Sequence, residues 1–82
     1  MTQSIFTPPT QELLEAQARH FLWTCRRKAY LEAKKSGELE EWITLKAKAA
    51  RRYAENLIYS GEPPEIAWNR AVRLEILESE TD

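Results

Sequence analysis

Little in this 82-residue chain suits the chemistry of common active sites. It has one histidine, His20, and one cysteine, Cys25. On a helix, five positions at about 100° each set these two roughly 140° apart around the axis. They therefore cannot share a metal ion or act as a nucleophile and its base. The residue three before His20 is Gln17, so the Glu-x-x-His ligand pair of di-iron bundles is missing. Two isolated glycines, Gly37 and Gly61, leave no glycine-rich phosphate loop. Glu38, Glu40 and Glu41 do cluster, but they fall where a helix begins, and carboxylates there complement the helix dipole. These absences predict a non-enzymatic protein with no catalytic residue, no metal site and no cofactor.

Other absences bear on location. A single cysteine excludes an intramolecular disulfide, which small secreted domains usually need. Residues 1–9 lack the basic-then-apolar layout of a signal peptide. No apolar run approaches the ~18 residues of a membrane span. A cytoplasmic protein without membrane contact is expected. Charge of one sign is not in excess either, the net being -1, so the whole chain is not built as a polycation.

The distribution of charge is uneven, however. Residues 26–52 carry nine basic and four acidic side chains, while residues 53–82 carry two basic and seven acidic. A basic middle and an acidic end can steer a polyanion to one surface, or pair one copy of the chain with another.

The few glycines and prolines are informative because of where they stand. Both glycines lie in a Ser-Gly-Glu triplet, Ser36-Gly37-Glu38 and Ser60-Gly61-Glu62. Glycine just past a helix end takes the left-handed conformation without a Cβ clash. The prolines come as Pro8-Pro9 and Pro63-Pro64, and proline suits the first helical turn. Thr7 or Thr10 can cap the first helix. Nothing alternates with period two. The chain is therefore expected to be all-α, with two long antiparallel helices over about 9–36 and 38–60 and a shorter third over about 63–79. Residues 1–8 and 80–82 are expected to be tails around this single domain.

Helical spacing then assigns faces. In the first helix Leu14, Ala18, Phe21, Leu22, Cys25 and Ala29 share an arc of about 100°, the width of a core stripe. In the second, Leu39, Trp42, Ile43, Ala50, Tyr53, Ala54 and Leu57 do the same, and Lys46 falls among them, expected to snorkel along the surface. The third helix has two apolar sides, with Ile66, Ala67, Ala71, Leu74 and Leu77 on one and Trp68, Val72 and Ile76 on the other. A chain this small hides only about 60–65 % of its unfolded surface, so the second side is covered either by the first helix wrapping over both sides or by a partner or a second copy.

The first helix also carries Arg19, Trp23, Arg26, Arg27, Tyr30 and Lys34 on one arc. Three arrangements suit such a patch. The arginines can stack over core-edge aromatics, the aromatics can anchor a protein interface, or the patch can hold phosphates and bases. Lys48, Arg51 and Arg52 on the second helix form a solvated mixed-charge face with Glu41 and Glu55. If the first two helices are neighbours, these residues can join the first basic group in one nucleic-acid surface.

Two functions follow as expectations. The first is a protein-interaction module, adaptor or regulator, self-associating as a symmetric dimer and using Trp23, Tyr30, Trp68, Val72 and Ile76. The second is a small nucleic-acid-binding regulator using Arg19, Arg26, Arg27, Lys34, Lys48, Arg51 and Arg52. On the first, polar residues at 68 and 72 would weaken association and leave the fold intact, as read by light scattering.

Overall fold

Both Ser-Gly-Glu triplets end a helix, and they do so in the same way. The Gly37 N–H donates to the Lys34 carbonyl at 3.3 Å and the Glu38 N–H to the Ala33 carbonyl at 2.9 Å. At the second triplet Gly61 donates to Ile58 at 3.0 Å and Glu62 to Leu57 at 2.9 Å. This is the paired bonding of a Schellman motif, which needs a left-handed residue at its centre. Gly37 and Gly61 supply it, with φ of 85° and 112°.

The computed structural model describes residues 6–77. Among these it contains four α-helices and no strand: α1 (Gln11–Cys25), α2 (Arg27–Ser36), α3 (Leu39–Tyr59) and α4 (Pro64–Ala71), the last continued by a π-helical turn over Val72–Ile76. The protein is all-α, as expected, but the count of three helices is one too few. Residues 1–5 and 80–82 of the expected tails, and 78–79 of the expected third helix, lie outside the described residues. Thr10 is the cap of α1, its hydroxyl accepting from the Leu13 N–H at 3.1 Å. Pro64 opens α4 at its first position.

The expected first helix breaks at Arg26, whose ψ is 47°. No glycine or proline is there to cause the break. Thr24 lies two residues earlier, and its hydroxyl donates to the His20 carbonyl at 2.9 Å. Such back-bonding by threonine bends helices. The ladder resumes at once, Arg26 donating to Leu22 at 2.9 Å and Tyr30 to Arg26 at 2.8 Å, so the break is an elbow rather than a loop.

α3 is the hub and touches α1, α2, α4 and the π-helical turn. Its inward face is largely alanine: Ala47, Ala50 and Ala54 are fully buried, as are Ala67 and Ala71 on α4. Small side chains let the two helices approach closely. Leu14, Ala18 and Leu22 of α1 and Leu39 and Ile43 of α3 complete the first layer. Cys25, expected in the core, is exposed, because the elbow begins one residue later and ends the α1 stripe at Leu22.

The third helix departs most from expectation. Trp68 is only 5 % exposed and Ile76 is fully buried, whereas Ile66 and Leu77 face outward. Two causes act together. In the π-helical turn the Leu77 N–H reaches back five residues to the Val72 carbonyl, at 2.9 Å. A five-residue step carries Ile76 round to the side of Ala71, where a four-residue step would not. Phe6 and Pro9, ahead of α1, line one groove with Trp68, and Phe6 packs against the core although it was placed in a tail. Trp68 and Ile76 are therefore core residues of one chain and offer no interface. Val72 is half-buried. Lys46 behaves as expected for a snorkelling side chain, and its ammonium donates to the Glu75 carbonyl of the π-helical turn at 3.1 Å.

Two consequences can be measured by chemical denaturation. Trp68→Ala should cost about 3–5 kcal/mol, the usual loss for a buried tryptophan, and leave so small a domain largely unfolded. Gly61→Ala should cost only about 1–2 kcal/mol, because no atom crowds the position and the penalty is the left-handed backbone alone.

Candidate protein-binding face

The aromatic and basic residues meet across the elbow at Arg26. It is flanked by Trp23, four residues before Arg27 and seven before Tyr30. The Arg27 guanidinium carbon sits 4.2 Å from the centre of the Trp23 ring. The same side chain turns back, Nε donating to the Trp23 carbonyl at 3.3 Å. The Tyr30 ring makes a T-shaped pair with Trp23, with centroids 5.3 Å apart and planes at 70°. Both contacts are attractive through the ring quadrupole. Tyr30 packs against the core, while Trp23 keeps 40 % of its surface exposed. An arginine does stack over an aromatic ring here, but over the exposed Trp23 and not over the core-edge Tyr30.

Arg19 is engaged elsewhere. Its two terminal nitrogens donate to the two oxygens of Glu40, each at 2.9 Å. The hydrogen bonds from Arg19 hold the Glu40 carboxyl below the ordinary carboxylate range. The same pairing raises the Arg19 guanidinium, partial burial opposes it, and Tyr30 adds to the rise. Nothing in the sequence marks this pair, because the two residues lie 21 apart and meet only through the packing of α1 on α3.

One cleft is lined by Ala16, Arg19, His20, Trp23, Tyr30 and Lys34. The structure thus brings together four residues of the predicted patch and adds Ala16 and His20. Leu31, absent from the prediction, is 49 % exposed. At four- and three-residue steps from Arg27 and Lys34 it shares their side of α2. Among the described residues no ion pair neutralises Arg27, Lys28, Lys34 or Lys35.

The second basic group does not join the first. Arg19 faces Glu40, and Glu15 accepts from the Thr44 hydroxyl at 3.4 Å, so α1 and α3 run antiparallel. From that level Arg26 lies seven residues one way and Lys48 eight residues the other. At 1.5 Å per residue they are about 22 Å apart along the pair. Lys48 and Arg52 instead border a different groove, with Leu45, Tyr53 and Glu75. The expected continuous surface of Arg19, Arg26, Arg27, Lys34, Lys48, Arg51 and Arg52 is split in two, with Arg19 already paired.

Among the described residues no group of three histidine, cysteine or acidic side chains can hold a metal ion. No helix there is long and apolar enough to cross a membrane. No family model matches the chain, and no curated protein or solved structure matches it either.

The Arg19–Glu40 pair makes a pH prediction. A carboxylate whose folded pKa is lowered adds stability above its ordinary pKa and loses it as pH falls through the lowered value. The pair is exposed, so the effect on stability is small. The direct measurement is a carbon-13 titration of the Glu40 carboxyl. Its midpoint should lie below that of free glutamate and return upward in Arg19→Gln.

Proposed function

We propose that the chain is a non-enzymatic protein-interaction module that presents the Trp23–Tyr30 side of α1 and α2 to a protein partner. One observation carries this reading: Trp23 is in contact with both Arg27 and Tyr30 and yet stays 40 % open to solvent. A ring already fixed loses little freedom on docking, and tryptophan, tyrosine and arginine are the residues most enriched at binding hot spots. The closest alternative, nucleic-acid binding, has less support. Arg27 covers a face of the Trp23 ring that a base would need, Arg19 is spent on Glu40, and the α3 cations stand about 22 Å away along the helices. Self-association keeps one support, the basic middle and acidic end of the sequence. Burial of Trp68 and Ile76 removes the other.

The test is Trp23→Ser. The substitution removes one aromatic pair and one cation–π contact, at a cost of about 1–2 kcal/mol, so helicity by circular dichroism should persist. Affinity capture from cells that express the protein should lose the partners that the parent enriches. Identical partner sets for parent and variant would refute the reading.

A further inference from the structure

α2 is an unusual element for so small a fold, since none of its ten residues is fully buried. Isolated helices of this length are marginal in water. It is held by its cap at Gly37, by its join to α1 and by the half-buried Tyr30 and Ala33. What it carries instead is charge. Between Arg26 and Ser36 stand Arg26, Arg27, Lys28, Lys34 and Lys35 against the single acid Glu32. Trp23 and Leu31 are its large exposed apolar neighbours. Trp23, Arg27, Leu31 and Lys34 follow at four-, four- and three-residue steps. Arg27 stands on Trp23 directly, so apolar and cationic side chains alternate along one side of the elbow.

We propose that this elbow binds a short acidic segment of a partner protein, with carboxylates over Arg27, Lys34 and Lys35 and an apolar side chain against Trp23 and Leu31. The proposal rests on the interaction reading above and specifies its partner. Charge complementarity selects the occupant. The side is cationic, Arg27, Lys34 and Lys35 form no ion pair with acids of the described residues, and a guanidinium already fixed over an indole can hold a carboxylate in its own plane. A single-stranded nucleic acid suits the elbow less well. It needs a continuous phosphate track and open ring faces, whereas here the cations cover about one helix of ten residues and Arg27 occupies the ring.

The experiment uses the full chain and fluorescence anisotropy at low salt. The probes are fluorescein-labelled Glu-Leu-Glu-Glu-Leu-Glu, its lysine counterpart and a single-stranded DNA 12-mer. The acidic peptide should bind, and the lysine peptide should not. Arg27→Glu with Lys34→Glu should weaken acidic-peptide binding by roughly tenfold or more, as should Trp23→Ala. Lys48→Glu with Arg52→Glu changes the same net charge on the other cluster and should leave binding nearly unchanged. Equal weakening by both charge pairs would show a diffuse field and overturn the proposal. Binding of the DNA alone would overturn it in favour of nucleic acid. If the acidic peptide fails while Trp23→Ser still abolishes partner capture, the interaction reading stands and its acidic specificity falls. Circular dichroism on each variant separates lost binding from lost fold.

Discussion

Everything in this domain is arranged around the contact of α3 with α4, and that contact is made of alanine. Ala47, Ala50 and Ala54 of α3 and Ala67 and Ala71 of α4 are fully buried in two helices joined by a Schellman turn. Alanine loses no side-chain entropy on burial and holds the helix well. The consequence is a thin core. Leu14, Leu22, Ile43 and Ile76 are its largest fully buried side chains, so Trp68 supplies an outsized share of its apolar area. At ~25 cal/mol per Å², an aromatic that buries 150–250 Å² is worth about 4–6 kcal/mol, which is comparable with the whole stability of a small domain.

This thinness explains why the π-helical turn matters. A continuous α-helix after Ala71 would leave Ile76 off the inward side, and the core would lose one of its four largest fully buried residues. The extra residue in the turn restores Ile76 to the row of Ala67 and Ala71. Lys46 then donates to the Glu75 carbonyl, so a polar group of the turn is met by a side chain from the hub helix. Local backbone irregularity here serves packing.

The elbow at Arg26 serves something else. It costs the first helix its continuity and ends its buried stripe at Leu22, and the residues beyond it contribute no fully buried side chain. Across it Trp23 meets both Arg27 and Tyr30, and among the described residues no ion pair neutralises Arg27, Lys28, Lys34 or Lys35. Glu40 is turned to Arg19. The charge pattern of the folded surface therefore depends on the pairing of Glu40 with Arg19. α3, running antiparallel to α1, gives that place to Arg19 and sends Lys48, Arg51 and Arg52 to the far end.

Helix starts and stops, the all-α class and most of the inward stripes could be read from residue order, because caps, glycine stops and 3.6-residue periodicity act over one or two turns of chain. Thr10, Gly37, Gly61 and Pro64 act within four or five residues of themselves, and the aromatic–basic patch around Trp23 is a matter of helical spacing alone. The break at Arg26, the five-residue step before Leu77, the burial of Trp68 and the Arg19–Glu40 pair were out of reach of such reading. Each depends on residues far apart in the chain or on a bond that departs from the regular period. Which of two apolar sides turns inward is a question about neighbours, and neighbours exist only once the helices have packed.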